Sequence, residues 1–387
     1  MNDTPNLCHA PFTHFTMDAN LNASPCPALG GSTWNFQGQK LSDIWTNETL
    51  ENFRSHMLQN GKHKQCERCW KEERVGYESE RLKILKQKHS IVDYKKGPVQ
   101  LALKISNVCN LRCRSCNSRD SVTLSVEGKN YAKQDTEWEN NFYFLDTKRK
   151  QFTNEQIQEI VEWSSNLQRL EIYGGEPLLD PQTFNLLQKL ADTGRADQIQ
   201  INLSTNITHK ISQENINILK KFNHVNINLS IDGWGKRFEY LRHPGNWQEV
   251  YTNLYWFKQL YESKQINLSI LPVCTVTSMN VYYLDELTDG LFYKFNLIPY
   301  FILSTFPHYY SILKMPSAIG AKVATHLDNY KIVNLDAVKE ALRSPGKDEE
   351  WARFWRWNTM VDQYRKEKFA DVFPEYYKIL VNEPALV

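Results

Sequence analysis

Short apolar segments alternate with amphipathic segments through the middle of this 387-residue chain, and this alternation limits the possible folds. The predicted strands are at 99–105, 169–173, 199–204, 225–231, 266–276 and 297–303. The predicted helices between them are at 154–164, 181–191, 213–222, 247–261 and 282–287. Strands that alternate with helices form a parallel sheet with right-handed crossovers. The sequence therefore predicts an α/β fold, a partial (β/α)6 TIM-like barrel.

Polar and glycine-rich residues follow four of these predicted strands at the points where the strands end. In chain order they are a cysteine-rich loop, Gly174-Gly175-Glu176-Pro177, Ser204-Thr205-Asn206 and Ser230-Ile231-Asp232-Gly233. The chemistry of a parallel barrel lies at the carboxyl ends of its strands. We therefore expect these residues to share one rim of the barrel.

The loop after the first predicted strand, Cys109-Asn-Leu-Arg-Cys113-Arg-Ser-Cys116, holds three of the eight cysteines. Three thiolates on one tight loop suit a soft metal better than a disulfide. Three ligands also leave one corner of a tetrahedral metal or of a cluster open, as reactive sites do. We favour an iron–sulfur cluster with one iron free of protein ligands, and zinc is the structural alternative.

A second group of four cysteines lies in the first 75 residues, a stretch predicted to be irregular and rich in Asn, Pro, Gly and Ser. Cys66 and Cys69 form a CxxC pair, and Cys8 and Cys26 complete a set of four sulfur ligands. By spacing alone this set suits zinc, and the neighbouring His9 and His63 are alternative ligands. Cys274 lies inside an apolar strand and is predicted to be a small buried hydrophobic residue.

Taken together, the CxxxCxxC loop, the Gly-Gly-Glu-Pro turn and the Ser-Ile-Asp-Gly stretch resemble the radical S-adenosylmethionine (SAM) superfamily over about residues 99–310. The resemblance implies that Cys109, Cys113 and Cys116 hold a [4Fe–4S] cluster whose fourth iron binds SAM. It further implies that a flavodoxin or ferredoxin supplies an electron. SAM then splits into methionine and a 5′-deoxyadenosyl radical, which abstracts hydrogen from a substrate.

The same resemblance implies which residues bind SAM. The turn formed by Gly174, Gly175, Glu176 and Pro177 is expected at the methionyl amine, and Arg242 near the SAM carboxylate. The side chains expected to bond the ribose are those of Ser204, Thr205, Asn206, Ser230 and Asp232. The structural alternatives are a glycine turn, helix caps and a surface ion pair. Ser115 departs from the family pattern, which often has an aromatic residue at that position.

The sequence around the N-terminal cysteines resembles the SPASM or twitch domain, placed here ahead of the barrel as in the N-terminal twitch group. The matching segments are Cys8-His-Ala-Pro-Phe, Pro25-Cys26-Pro, Leu41-Ser-Asp-Ile-Trp45 and Cys66-Glu-Arg-Cys69-Trp. This resemblance implies an auxiliary iron–sulfur cluster, [4Fe–4S] ahead of zinc, with Cys8, Cys26, Cys66 and Cys69 as ligands. The predicted domains are 1–90 for this cluster, 97–310 for the barrel with a lid-like insertion at 120–150, and 311–387 for a helical extension.

The composition of the sequence limits the kinds of partner and the cellular location that we expect. A formal net charge of +2 provides no global basic field, which argues against a nucleic-acid partner. The first residues lack the pattern of a signal peptide, and the sequence has no window of eighteen apolar residues that would span a membrane. A cytoplasmic location, where thiols stay reduced, is therefore expected.

The substrate is the least constrained part of the prediction. Enzymes with this auxiliary domain often modify peptides, so a peptide or protein side chain ranks ahead of a sugar or nucleotide derivative. A peptide predicts an open groove or an exposed strand edge, and a small molecule predicts a closed cavity. A zinc-stabilised interaction protein is the non-enzyme alternative. No catalytic acid or base is assigned.

Overall fold

A parallel β-sheet organises the protein. The computed structural model describes residues 7–29, 34–36, 39–74, 78–87, 94–133, 148–343 and 348–381. The strands in these ranges are β1 His14–Asp18, β2 Asn22–Ser24, β3 Trp34–Asn35, β4 Gln100–Lys104, β5 Arg169–Tyr173, β6 Gln200–Thr205, β7 His224–Ser230, β8 Leu268–Val276 and β9 Tyr300–Leu303. They form one sheet in the order β3-β2-β1-β4-β5-β6-β7-β8-β9.

The six predicted strands correspond to β4 through β9, and each pairs in parallel with the next. The α/β fold with a partial barrel is confirmed. The N-terminal segment, predicted to be irregular, also supplies strands to this sheet: β1 is parallel to β4, with His14 opposite Gln100 and Asp18 opposite Lys104. Strands β2 and β3 extend the sheet in antiparallel order. The buried side chains of Phe15 and Met17 explain why β1 joins the core.

Helices cover the outer face of the sheet and extend the chain at both ends. They are α1 Ala10–Thr13, α2 Leu41–Trp45, α3 Glu48–Asn60, α4 Glu67–Arg74, α5 Glu80–Lys86, α6 Val122–Ala132, α7 Asn154–Glu162, α8 Pro181–Asp192, α9 Gln213–Leu219, α10 Lys236–Leu241, α11 Trp247–Glu262, α12 Leu284–Phe295, α13 Ser317–Leu327, α14 Asp336–Leu342, α15 Asp348–Arg365, α16 Phe369–Val372 and α17 Pro374–Val381. None of these helices has the length and apolar character that crossing a bilayer requires.

Local sequence signals explain where the barrel helices begin. Helix α7 begins with a capping box, in which Thr153 and Gln156 bond each other's backbone N–H groups. Helix α8 begins with Asp180 as its N-cap and Pro181 in the first turn. The insertion predicted at 120–150 contains α6, and its part at 134–147 lies outside the described residues.

The two faces of the sheet differ in chemistry. Leu170 and Ile172 of β5 are buried in the hydrophobic core, as are the corresponding residues of β6 and β7. The alternate residues are mostly polar and only half-buried, for example Glu171 and Asn226. The interior of a closed TIM barrel is normally packed with branched apolar side chains. The inner face of this partial barrel instead forms a polar, water-accessible surface.

Helix α15 packs against the cysteine loop through Arg114, whose side chain is fully buried. Its Nη2 lies 2.5 Å from Asp362 Oδ1 of α15 and 2.6 Å from Glu367 Oε2 just beyond the helix. Its Nη1 donates to Asn358 Oδ1 at 3.3 Å, and its Cζ lies 3.6 Å from the ring centre of Tyr240. The segment after residue 311 is therefore bound directly to the loop that carries Cys109, Cys113 and Cys116.

We expect Arg114→Met to lower the free energy of unfolding by about 3–5 kcal/mol, because it leaves two partly buried carboxylates without their cation. Arg343→Met is the matched control, since Arg343 pairs with Asp328 at 3.1 Å where both side chains are about half exposed. That change is expected to cost less than about 1 kcal/mol. Urea unfolding of both variants measures the difference, and equal losses would contradict the role given to Arg114.

Candidate active site

One cavity of about 340 Å³ lies at the carboxyl ends of strands β4 to β8. The three cysteines of the loop after β4 line it, together with residues from the four following strand ends. Of the residues predicted to bind SAM, those that line it are Gly174, Gly175, Ser204, Thr205, Asn206, Ser230 and Arg242. Glu176, Pro177 and Asp232 are buried and do not line it. The structure thus brings residues from five separate strand ends to one space.

The loop thiols are in an environment that favours their protonated form. Burial raises the pKa of Cys109 to about 12, and the nearby Cys113 sulfur adds to this effect. Burial also raises the pKa values of Cys113 and Cys116. A thiol in such surroundings loses its proton when a bound metal compensates the charge. Three converging thiols of this kind fit a metal cluster that binds as they deprotonate.

Within the described residues, no three His, Cys, Asp or Glu side chains are arranged to hold a single metal ion.

Gly175 brings the turn after β5 into contact with the cysteine loop. Gly174 and Gly175 have φ angles of +77° and +57°, which favour glycine. A Cβ on Gly175 would lie 2.6 Å from the Val108 carbonyl oxygen and 2.9 Å from that of Ser106. Both carbonyls belong to the approach to Cys109. The glycine is therefore required for the close contact between these two loops.

Glu176 connects the turn after β5 to the turn after β6. Its buried carboxylate accepts hydrogen bonds from Thr205 Oγ1 at 2.8 Å, from the Asn206 N–H at 2.5 Å and from the Leu178 N–H at 3.1 Å. Burial raises its pKa to about 7, although these hydrogen bonds oppose the shift. The carboxylate that the resemblance puts at the methionyl amine is thus directed toward its own chain. In this structure Glu176 is a positioning residue for the rim.

Asn206 extends these contacts to the cysteine loop. Its Nδ2 lies 3.8 Å from Cys109 Sγ and donates to Asn110 Oδ1 at 2.9 Å. An amide donor at this distance stabilises a thiolate, because it favours the charged form. The residue is therefore suited to hold the first cysteine as well as to face the cavity.

Arg242 is the cation of the cavity. Its Nη2 lies 2.8 Å from Asp232 Oδ2, and Asp232 Oδ1 accepts the Thr275 N–H at 2.9 Å. Burial alone would lower the pKa of Arg242, but Asp232 and the neighbouring thiols raise it overall, so the guanidinium stays charged. Its Nε is buried without a partner among the described residues. The surface ion pair considered as an alternative is therefore wrong, because the pair is buried at the site.

A second charged pair, which no motif in the sequence indicates, lies at this cavity. Lys104 Nζ lies 2.8 and 2.9 Å from the two carboxylate oxygens of Asp120. Asp120 and Tyr173 line the cavity, as does Ser115. Lys104 and Tyr173 are the last residues of β4 and β5 and pair across the sheet. Strand alternation was the available signal, since both follow a buried residue at the strand end.

The four N-terminal cysteines converge at the other end of the parallel pair β1 and β4. Cys8 belongs to a small buried cluster with Phe53, Met57 and Ile84, and Cys26 and Cys66 pack against it. Burial raises the pKa of Cys8 to about 12, and the nearby sulfurs of Cys66 and Cys69 add to this effect. Burial also raises the pKa values of Cys26 and Cys66. Four converging thiols fit a fully ligated metal cluster.

The nearby histidines are placed differently. His63 caps the turn before Cys66 by accepting the Gln65 N–H at 3.2 Å, and its ring packs 4.6 Å from that of Phe53. His9 Nδ1 is buried without a partner among the described residues. His63 is thus engaged with its own chain through Nδ1, whereas His9 Nδ1 has no such partner among the described residues.

Two family models match this chain. The model of the radical SAM superfamily matches residues 103–277, and the SPASM model, an iron–sulfur cluster-binding domain, matches residues 8–70. Each match contains one of the two cysteine groups. The chain therefore contains a radical SAM domain and, ahead of it, a SPASM iron–sulfur domain.

Individual proteins resemble the chain more remotely. No curated protein matches its sequence. Among solved structures, native anSMEcpe with bound AdoMet is 19% identical, with 65% of each chain covered and a TM-score of 0.43. Streptococcus suis SuiB bound to S-adenosylmethionine is 13% identical, with 74% of this chain and 59% of that chain covered and a TM-score of 0.36. SuiB bound to precursor peptide SuiA is 15% identical, with 85% and 64% covered and a TM-score of 0.38. This chain spans slightly less than two thirds of the length of each structure.

We expect Gly175→Ala to disturb the cysteine loop, whereas Gly194→Ala is a control with the same backbone cost. Both glycines have a positive φ, but a Cβ on Gly194 would meet nothing within 4 Å. Each change costs roughly 1–2 kcal/mol for the left-handed backbone. Gly175→Ala adds roughly 1–3 kcal/mol of overpacking.

Thermal unfolding and the iron content after anaerobic reconstitution measure this difference. Gly175→Ala should lose iron and Gly194→Ala should retain it. Equal iron contents would mean that the contact between the two loops does not shape the cysteine site.

Proposed function

We propose that this protein is a radical SAM enzyme that cleaves SAM reductively and abstracts a hydrogen atom from a substrate. The observation that carries the proposal is one cavity lined by three cysteines, two left-handed glycines and a buried arginine whose Nε has no partner among the residues that the structure describes. When a [4Fe–4S] cluster and SAM are bound, one electron breaks the bond between the sulfonium sulfur and the 5′ carbon, and the 5′-deoxyadenosyl radical takes a hydrogen atom from substrate. The residues of this chain would bind and orient these groups.

Cys109, Cys113 and Cys116 would hold the cluster and leave its fourth iron for SAM. Arg242 is suited to the SAM carboxylate, because it is cationic and its Nε meets no acceptor in the described parts of the chain. The backbone at Gly174 and Gly175 is suited to close approach by the methionyl amine, and Glu176 and Pro177 support that turn. Ser204 and Ser230 expose hydroxyl groups to the same cavity and are candidates for the ribose. Thr205, Asn206 and Asp232 hold these elements in place.

Cys8, Cys26, Cys66 and Cys69 would ligate the auxiliary iron–sulfur cluster. With four thiols the cluster needs no ligand from substrate, so its role is electron transfer or structure. A flavodoxin- or ferredoxin-type protein would supply the electron. We propose three functional segments: residues 1–90 for the auxiliary cluster, 97–310 for the barrel and 311–387 for the helical extension. Strand β1 and Arg114 connect these segments through direct contacts.

A peptide or protein side chain is the substrate class that we propose. Strand β9 is the last strand of the sheet, and no described strand pairs with its outer edge. Tyr300 and Ile302 on β9 are 57% and 48% exposed, which is unusual for large side chains of a sheet. Ile302 pairs with Thr275, and Thr275 lines the cavity. An extended peptide that adds to this edge would therefore reach the site.

A sugar or nucleotide derivative is the second candidate, and the inner face of the barrel favours it. The amides of Asn202 and Asn226 lie 2.8 Å apart, and His224 Nε2 lies 3.0 Å from Ser269 Oγ. This row of half-buried polar groups could bond the hydroxyls of a small polar molecule. A product that consists of a modified peptide would exclude it.

Anaerobic reconstitution tests the proposed chemistry. We expect about eight iron and eight sulfide per chain, in keeping with seven cysteine ligands, and 5′-deoxyadenosine from SAM and dithionite. Cys113→Ala should lose about half of the iron, and it should no longer produce 5′-deoxyadenosine. Cys274→Ala is the control, because Cys274 is fully buried in β8 and does not line the cavity. Either zinc in both sites or no 5′-deoxyadenosine from the reconstituted protein would refute the proposed enzyme, and zinc in both sites would favour a zinc-stabilised interaction protein.

Arg242→Met should weaken SAM binding by roughly 10- to 100-fold, the effect of losing a charge-assisted hydrogen bond. Arg237→Met is the control: Arg237 also has a carboxylate partner, Glu286 at 2.8 Å, but does not line the cavity. Equilibrium dialysis of SAM against the reconstituted variants measures the effect. Unchanged SAM affinity in Arg242→Met at full iron content would refute the role proposed for Arg242.

A further inference from the structure

Helix α15 reaches the cysteine loop through a second arginine, Arg365, in addition to the contacts of Arg114. The Arg365 side chain is 2% exposed. Its Nε lies 2.7 Å from Glu127 Oε1 of α6, and its Nη2 donates to the Arg112 carbonyl oxygen at 2.7 Å. Because Arg112 directly precedes Cys113, the guanidinium lies against the backbone that carries this ligand. Its Nη1 is buried without a partner among the described residues.

The charges around Arg365 do not cancel. Glu127 is 1% exposed and also pairs with Arg112 at 3.0 Å, and it accepts a hydrogen bond from Tyr131. Arg112, Glu127 and Arg365 therefore contribute two positive charges and one negative charge. Arg114 differs, because Asp362 and Glu367 together supply two negative charges to it. The group that contains Arg365 is therefore net positive, whereas the group that contains Arg114 is net negative.

The field of this group reaches the cluster ligands. Arg365 donates to the carbonyl oxygen of Arg112, the residue bonded to Cys113, so its positive charge lies close to that ligand. A charge inside a protein acts more strongly than one in water, because the surrounding dielectric constant is lower. Arg114 fixes α15 to the same loop, so the distance between Arg365 and Cys113 is held constant.

We propose that Arg365 raises the reduction potential of the cluster held by Cys109, Cys113 and Cys116. This inference rests on the proposed function. A four-iron cluster with three thiolate ligands carries a net negative charge, which grows when the cluster accepts an electron. A fixed buried cation therefore favours the reduced state, and net charge is one of the factors that set such potentials. The C-terminal extension thereby becomes part of the electron-accepting site.

The test is an EPR-monitored redox titration of the full chain after anaerobic reconstitution. The signal that changes on addition of SAM belongs to the cluster with the open iron, which separates it from the auxiliary cluster. Arg365→Gln should shift the midpoint potential of this signal to more negative values, and Arg365→Lys should restore it toward wild type. Glu127→Gln removes the one carboxylate of the group and should shift the potential in the opposite direction.

Shifts of opposite sign distinguish an effect of charge from structural damage to the loop. Damage would shift the potential in a direction that does not depend on the sign of the charge removed. Arg237→Gln is the control for loss of an arginine remote from the loop, and its potential should equal that of wild type. An unchanged potential in both Arg365→Gln and Glu127→Gln, or shifts of the same sign, would overturn the inference. If the wild-type chain shows no signal that responds to SAM, the proposed function itself fails.

Discussion

The contact of Gly175 with the carbonyls of Ser106 and Val108 is the constraint on which the candidate site depends. It fixes the turn after β5 against the loop that carries Cys109. From that turn, Glu176 binds Thr205 and the Asn206 backbone after β6, and Asn206 approaches the Cys109 sulfur. Through these contacts, each of the loops is held in place by the next one. A left-handed glycine permits this arrangement, since any side chain there would separate the two loops.

The other side of the cysteine loop is held by charge. Arg114 and Arg365 attach it to the C-terminal helix α15, and both side chains are buried. Buried ion pairs are weak evidence for stability, because removing two charges from water costs about as much as their attraction returns. An apolar contact could have attached the helix at less cost in desolvation. At Arg365, the negative charge that a cluster with thiolate ligands would bring to this loop accounts for an arginine in place of an apolar side chain.

The inner face of the sheet determines what else the barrel can hold. Its alternate residues are polar from β4 to β7 and become apolar and exposed on β9, at Tyr300 and Ile302. A barrel that only had to be stable would fill this space with branched apolar side chains. The side chains of each strand therefore have two different functions. One row packs into the hydrophobic core, and the other row lines the open inner face of the partial barrel.

The sequence by itself determined the strands of the barrel and most of the residue types of the site. Apolar alternation is a local pattern, and it located β4 to β9; cysteine spacing identified both groups of thiols. Only the tertiary structure decided that β1 pairs with β4, that Glu176 faces Thr205, and that Arg114 meets Asp362 across 248 residues of chain. Such pairings produce no periodic pattern in the sequence, because the partners are far apart along the chain. Any carboxylate would also suit an arginine as its partner. The residue types of a site can be predicted from the sequence, whereas the residues that contact each other are determined by tertiary packing.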